Sequence, residues 1–152
     1  MKREITRWKK ADILVIEDDP GDQELTRRAL HREDYRAELH LVSDAEQAMD
    51  YLLKRGRYSD APSAPLPDLI LLDLNLPGAS GKKILEAAKG HPELKHVPIV
   101  VVSSSAREQD IFQCYDLGCN SYVIKPIEAH RFIAALREIY SYWFGTIALP
   151  TH

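Results

Sequence analysis

The sequence has 152 residues, 45% hydrophobic and 28% charged, a balance that is typical of one globular domain and excludes a disordered chain or two ordinary domains. The formal net charge of −3 provides no field that would attract a nucleic-acid backbone. Because no apolar run approaches the length that spans a bilayer and the first residues lack the apolar stretch of a secretory signal, we expect a cytoplasmic protein that binds neither nucleic acid nor membranes.

Strand and helix patterns alternate along the sequence. Short apolar runs predict five buried strands, at 13–16, 39–42, 69–72, 99–102 and 122–124. Segments with apolar residues three and four apart predict five helices, at 23–31, 44–55, 82–89, 108–117 and 128–144. Ser43 and Glu46 form a capping-box pattern that predicts the start of the second helix, and the proline-containing stretch 56–67 is predicted to be a loop.

Five strand–helix repeats predict a parallel sheet with helices on both faces. Parallel strands need crossover connections, and near-continuous apolar runs imply burial on both sides of the sheet. We assign residues 12–144 to this domain, 1–11 to an N-terminal arm and 145–152 to a C-terminal tail. We therefore expect one domain in these 152 residues, with any output coming from this domain or its partners.

Polar residues follow four of the five predicted strands. In chain order they are Glu17, Asp18 and Asp19, then Asp73, Ser103 and Lys125. Taken singly, each has a simpler explanation as a cap, a turn residue or a surface charge, and for Asp19 we favour the turn role. Together they are expected to meet at the carboxyl edge of the sheet, where open α/β sheets bind ligands. Clustered carboxylates repel one another unless a cation holds them, and Mg²⁺ prefers such oxygen ligands.

These residues lie in segments that resemble the receiver domain of response regulators over nearly the whole chain. The matching segments are ILVIEDD at 13–19, PDLILLDLNLPG at 67–78, VVVSSS at 100–105 and SYVIKP at 121–126. The resemblance implies a flavodoxin-like doubly wound α/β fold with five parallel strands in the order 2-1-3-4-5 and five helices. It also implies a single-domain response regulator that takes a phosphoryl group from a sensor histidine kinase.

The resemblance implies a role for each acidic residue. Asp73 would be the phosphoacceptor, and Mg²⁺ would be bound by Glu17, Asp18, Asp73 and the backbone carbonyl of Asn75. Glu17 stands where many receivers have Asp, so its longer side chain is expected to reach the metal through a water.

The resemblance also implies a switch and a phosphoryl-binding amine. Ser103 would be the switch hydroxyl, in place of the commoner Thr, and Tyr122 the switch aromatic that rotates inward on phosphorylation. Lys125 would bind the phosphoryl group, and a cis peptide bond before Pro126 would direct its amine to the site.

Two further features of the sequence predict binding partners. The insert before the third strand, segment 114–122 and the tail resemble a subgroup of receivers that partners phytochrome-type photoreceptor kinases. Phe132, Leu136 and Tyr140 recur four residues apart along the C-terminal helix. The apolar surface is widened beyond the stripe that packing on the sheet needs by Ile133, Ile139 and Trp143. Because the apolar character also continues beyond Gly145, we predict a homodimer through the C-terminal helix and tail. The alternative is that the tail folds back over the domain's own sheet edge.

Two other functions fit part of the pattern. A Mg²⁺-dependent phosphohydrolase with an aspartyl nucleophile also uses strand-end carboxylates and a lysine, but it has an acid two residues after the nucleophile, where this sequence has Asn75. A receiver-like scaffold that takes no phosphoryl group would lack one of the acids or the lysine, and none is missing. The sequence therefore favours a signalling receiver that is not an enzyme beyond its own phosphoryl transfer and dephosphorylation.

Overall fold

The computed structural model describes residues 10–60 and 64–150, which form a five-stranded parallel sheet with helices on both faces. The strands are β1 Ala11–Ile16, β2 Ala37–Val42, β3 Leu69–Leu72, β4 Ile99–Ser103 and β5 Ser121–Ile124. The helices are α1 Pro20–Leu30, α2 Ala45–Leu52, α3 Gly81–Gly90, α4 Glu108–Asp116 and α5 Ala129–Ser141. The strand order is β2-β1-β3-β4-β5, which confirms the predicted fold. Most of the predicted N-terminal arm, residues 1–9, lies outside the described residues.

Apolar residues of each central strand point alternately into two buried clusters, one on each face of the sheet. On β1, Leu14 and Ile16 belong to a cluster that includes residues of α2, α3 and α4, whereas Ile13 and Val15 belong to a cluster that includes residues of α1 and α5. Burial on both faces explains why these strands have continuous apolar runs. Within the described residues, no helix is long and apolar enough to span a bilayer.

Helix caps account for two differences from the predicted boundaries. α1 begins three residues earlier than predicted because the Asp19 carboxylate accepts the N–H of Asp22 at 2.8 Å and Pro20 occupies the first turn. Asp19 is therefore a helix cap. α2 is capped by Asp44, whose carboxylate accepts the N–H of Gln47 at 2.7 Å, so the cap lies one residue after the predicted Ser43.

The described part of the region between α2 and β3, residues 53–60 and 64–68, is mostly irregular, as predicted, and contains a 3-10 turn at Gly56–Tyr58. The Tyr51 hydroxyl of α2 donates to the Pro65 carbonyl at 2.9 Å, and Ala64 is buried in the core. This part of the loop is therefore fixed to the domain next to β3.

Candidate functional site

The carboxyl ends of β1, β3, β4 and β5 bring the predicted polar residues to one edge of the sheet. Backbone hydrogen bonds continue past the strand ends: the N–H of Asp73 donates to the Ile16 carbonyl at 3.0 Å, and the N–H of Lys125 donates to the Ser103 carbonyl at 2.7 Å. Glu17, Asp73 and Ser103 are buried. The positions of these side chains are thus set by the sheet itself, which favours a precisely shaped site.

Lys125 is the centre of this edge, because its ammonium group contacts three carboxylates. Its Nζ lies 2.5 Å from Glu17 Oε1, 2.8 Å from Asp22 Oδ2 and 2.9 Å from Asp73 Oδ2. A lysine ammonium has three N–H donors, so all three are used. Burial alone would lower the pKa of Lys125, but the hydrogen bonds to Asp22, Glu17 and Asp73 raise it above its usual value. The amine is therefore charged at neutral pH.

The carboxylates outnumber the amine that holds them. Burial raises the pKa of Glu17 from 4.5 to about 7; Lys125 opposes this shift and Asp73 adds to it. Glu17, Asp18 and Asp73 each offer one oxygen atom, and these atoms lie within 4.8 Å of one another. Such a set of hard oxygen ligands, with negative charge that one lysine does not neutralise, fits a divalent cation.

The loop after β3 keeps Asp73 in place. The N–H of Asn75 donates to Asp73 Oδ1 at 3.2 Å, while the predicted metal contact of the Asn75 carbonyl stays a prediction. The N–H of Gly81 donates to the Leu74 carbonyl at 2.9 Å, and a Cβ at Gly81 would lie 2.3 Å from the Asp73 carbonyl oxygen. The start of α3 therefore packs directly against the backbone of Asp73.

The two predicted switch residues meet at Ser105. The Ser103 hydroxyl accepts the N–H of Ser105 at 3.2 Å, and the Tyr122 hydroxyl donates to the Ser105 carbonyl at 2.8 Å. Tyr122 is half-buried and packs against the core cluster of α2, α3 and α4. Its rotation on phosphorylation stays a prediction.

The peptide bond between Lys125 and Pro126 is trans, so the predicted cis bond is wrong. The trans isomer of an X–Pro bond is favoured by roughly 0.5–1 kcal/mol unless the fold requires the other. Here the fold does not require it: the backbone of Lys125 continues in register with β4, and its long side chain reaches Asp73 from that position. The placement of the amine thus does not depend on a cis turn.

Residues 13–137 match the family model of the response regulator receiver domain. The chain belongs to this family. Response regulator Rcp1 of Synechocystis sp. is 36% identical over 138 residues, which cover 91% of this chain and 92% of Rcp1. The crystal structure of the phosphorylated cyanobacterial phytochrome response regulator RcpA has a TM-score of 0.89 and 38% identity, covering 94% of this chain and 100% of RcpA. The crystal structure of the Mn²⁺-bound form of Rcp1 has a TM-score of 0.87 and 35% identity, and the match covers 93% of this chain and 99% of the Rcp1 chain.

This receiver domain has one site residue that the sequence interpretation missed. Asp22 binds Lys125, but it neither follows a predicted strand nor lies in the predicted first helix, which begins at residue 23. The signal is Pro20, which favours the first position of a helix and places Asp22 in the first turn, next to the Asp19 cap.

A second polar network, which we call the α3–α4 bridge, also escaped the sequence interpretation. It consists of Lys82, Ser105, Asp110 and Gln113. Lys82 Nζ lies 2.7 Å from Asp110 Oδ1 and 2.6 Å from Gln113 Oε1, and the Ser105 hydroxyl donates to Asp110 Oδ2 at 2.5 Å. The hydrogen bond from Lys82 holds the pKa of Asp110 below its usual value. The bridge therefore ties the loop after β4 to the first turns of α3 and α4.

Proposed function

We propose that this receiver domain accepts one phosphoryl group on Asp73 from a sensor histidine kinase, with Mg²⁺ as cofactor. The observation that carries the proposal is the set of contacts at Asp73, where the Lys125 ammonium lies 2.9 Å from Oδ2 and oxygen atoms of Glu17 and Asp18 are grouped around the same carboxylate. Asp73 also follows β3, whose neighbour β4 ends at Ser103. Acid, amine and hydroxyl thus come from separate strands to one edge.

The chemistry is an in-line displacement at phosphorus. A carboxylate oxygen of Asp73 forms a bond to phosphorus as the bond to the imidazole nitrogen of the kinase phosphohistidine breaks, and the leaving nitrogen keeps the electron pair. Lys125 neutralises charge on one phosphoryl oxygen, and the Ser103 hydroxyl donates to another. Glu17, Asp18, Asp73 and the Asn75 carbonyl would hold Mg²⁺, which supplies further positive charge for the phosphoryl oxygens.

Intact-mass measurement after incubation with acetyl phosphate and Mg²⁺ tests the phosphoacceptor. The wild type and Asp116→Asn, a control at an exposed aspartate of α4, should each gain one phosphoryl group, and Asp73→Asn none. A labelled Asp73→Asn protein would refute the assignment. The same reaction in EDTA should give no product and should recover with Mg²⁺; labelling that EDTA does not reduce would refute the role of the metal.

The proposed kinase is of the phytochrome type. The likeness to RcpA, a cyanobacterial phytochrome response regulator, over nearly the whole length of both chains supports this partner. Phosphotransfer from a purified, autophosphorylated phytochrome-type kinase should be faster than transfer from a histidine kinase with an unrelated sensor. Equal rates would remove the support for this partner. We further infer that the protein works in the cytoplasm and catalyses its own phosphoryl transfer and dephosphorylation alone.

We infer that the protein forms a homodimer through α5 and the tail. Phe132 and Leu136 are buried in the domain's own core, and Tyr140 stacks on Tyr35 with ring centroids 4.0 Å apart. These residues are therefore used within the chain. Tyr142, which is 52% exposed, and the half-buried Trp143 remain at a groove along the edge strand β5.

Light scattering of the full-length protein tests the dimer and its surface. Tyr142→Ser should shift the protein toward the monomer, because aromatic side chains contribute strongly to interface cores. Phe112→Ser, at an exposed phenylalanine of α4, is the matched control and should leave the dimer intact. A monomeric wild type at tens of micromolar would refute the dimer, and a dimer broken by Phe112→Ser but not by Tyr142→Ser would place the interface on α4.

A further inference from the structure

We propose that Asp22 is a positioning residue of the phosphoacceptor site, which acts by holding the Lys125 ammonium so that one N–H points at Asp73. Asp22 Oδ2 lies 2.8 Å from Lys125 Nζ, as close as the contact of Lys125 with Asp73 at 2.9 Å. The inference rests on the proposed function of Asp73, and it adds a residue outside the set of strand-end acids.

Asp22 itself is fixed by its place in the first turn of α1. Its N–H donates to Asp19 Oδ2 at 2.8 Å, and its carbonyl accepts the hydroxyl of the buried Thr26 at 2.8 Å. α1 is held in turn to α5, where Arg137 Nε donates to the Ala29 carbonyl at 3.1 Å. The carboxylate therefore approaches Lys125 from a rigid element, as the support of a precise site requires.

The number of donors explains why Asp22 matters for the reaction. Lysine has a flexible side chain with three equivalent N–H donors, so one contact alone would leave the amine free to turn away from Asp73. Glu17 and Asp22 occupy two donors and thereby direct the third toward the Asp73 carboxylate. When Asp73 becomes an acyl phosphate its carboxylate charge is lost, and this third donor is in place for a phosphoryl oxygen. A preorganised donor does not have to be reoriented during the reaction.

A structural role is the alternative that the experiment has to exclude. An acid in the first turn of a helix interacts favourably with the helix dipole whether or not it touches a lysine. Such a role would change stability but would not act through Lys125. The test therefore needs a measured quantity that changes only if Asp22 acts through Lys125.

The rate at which acetyl phosphate and Mg²⁺ phosphorylate Asp73 in the full-length protein is the first reading. Asp22→Ala should slow phosphorylation about tenfold, because it removes one of the two groups that orient the amine. Asp22→Asn keeps an acceptor oxygen and should lose less, and Asp22→Glu should recover part of the rate. Glu24→Ala is the matched control on the same helix, since the ion pair of Glu24 with Arg27 is long, at 3.6 Å, and exposed, and this variant should stay within about twofold of the wild type.

A double-mutant cycle separates positioning from structure. In a Lys125→Ala background, Asp22→Ala should have no further effect on the rate, because there is no amine left to orient. An equal slowing in both backgrounds would overturn the proposal. If Asp22→Ala does not fold, Asp22→Asn takes its place in the cycle with the same criterion.

Amide and amine NMR gives a second reading that does not need turnover. A hydrogen-bonded lysine ammonium exchanges its protons slowly enough to be seen, and the Lys125 signal should be weakened in Asp22→Ala. The signal of Lys89, whose Nζ donates to the Val97 carbonyl at 3.1 Å and to Asn120 Oδ1 at 3.0 Å, should be unchanged. An unchanged Lys125 signal together with a wild-type rate would refute the role of Asp22. A wild type that takes no phosphoryl group on Asp73 would instead refute the proposed function.

Discussion

Two lysines of this receiver domain bridge separate elements through carboxylates, and they do so in opposite electrostatic settings. Lys82 in the α3–α4 bridge meets one carboxylate and one neutral amide oxygen, and its side chain is 26% exposed. Lys125 meets three carboxylates, and its side chain is 11% exposed. The pKa of Asp110 is lowered in the first setting, whereas the pKa of Glu17 is raised to about 7 in the second.

The difference distinguishes a structural ion pair from a reactive site. In the α3–α4 bridge the charges balance, so the bridge gains nothing from a further ion. At the phosphoacceptor edge, the carboxylates are buried and Lys125 neutralises only part of their negative charge. This unneutralised negative charge destabilises the folded protein, and it is the same property that would attract a divalent cation and favour phosphoryl chemistry.

Removal of the central amine should have the largest effect. In EDTA at pH 8, Lys125→Met should lower the free energy of unfolding by about 3–5 kcal/mol, since it leaves buried carboxylates without their cation. Urea denaturation of this variant beside Lys82→Met measures the comparison directly. Equal losses for the two variants would contradict the distinction between the two settings.

The pH dependence of stability should show the raised pKa of Glu17. The folded state holds this proton more tightly than the unfolded state, whose pKa is near 4.5, so the stabilising effect of protonation is complete below that pH and is lost as pH rises toward about 7. In EDTA, the free energy of unfolding should fall over this window by at most about 3 kcal/mol. Glu17→Gln should lack this pH-dependent loss, so the difference in the free energy of unfolding between the wild type and the variant should change between pH 4.5 and about 7. A difference that does not change with pH would show that Glu17 has an ordinary pKa.

Magnesium should stabilise the acidic edge and leave the α3–α4 bridge unaffected. At a free Mg²⁺ concentration about ten times the Kd, mass action should raise the free energy of unfolding by about 1.4 kcal/mol. Asp18→Asn should remove most of this gain, whereas Asp116→Asn should keep it. Thermal or urea unfolding with and without Mg²⁺ at pH 8 provides the measurement, and full stabilisation of Asp18→Asn by Mg²⁺ would exclude Asp18 as a ligand.

Lys82→Met should have the smallest effect. Hydrogen exchange of the backbone amides at 104–107 should become faster, because the α3–α4 bridge holds this loop through Ser105 and Asp110. The rate of Asp73 phosphorylation by acetyl phosphate should stay within about twofold of the wild type, since the bridge lies outside the phosphoryl contacts. A large loss of rate would show that the bridge is part of the reactive site.

The sequence was sufficient to predict the parts of this molecule that have a local pattern. β3 was predicted with its observed bounds because a buried parallel strand is a continuous apolar run, and the other strands differ by at most two residues at either end. Asp73 and Lys125 were predicted to lie together because each directly follows a strand of the same sheet. Residues that directly follow parallel strands of one sheet meet at the same edge, so their positions in the sequence predict their positions in the fold.

Contacts between side chains that are far apart in the sequence have no local pattern that would predict them. Lys82 and Asp110 are 28 residues apart on different helices, and nothing in their spacing indicates a pair. Ile133 and Ile139 widen the apolar surface of α5 that is predicted to remain for a partner, yet both pack in part against the domain's own core, because the helical period identifies an apolar surface but not what covers it. The cis bond before Pro126 was expected from resemblance alone, and the length of the lysine side chain made it unnecessary.

The contact of Gly81 with Asp73 limits how this domain can be redesigned. A Cβ at Gly81 would also lie 2.9 Å from the Cα of Leu74, so α3 and the end of β3 touch backbone to backbone, with no layer of side chains between them. Side chains can repack around a small displacement, but two backbones in contact move together. A shift at the phosphoacceptor should therefore reach the start of α3 without attenuation, and an engineered version of this receiver can vary the exposed face of α3 freely while position 81 has to remain glycine.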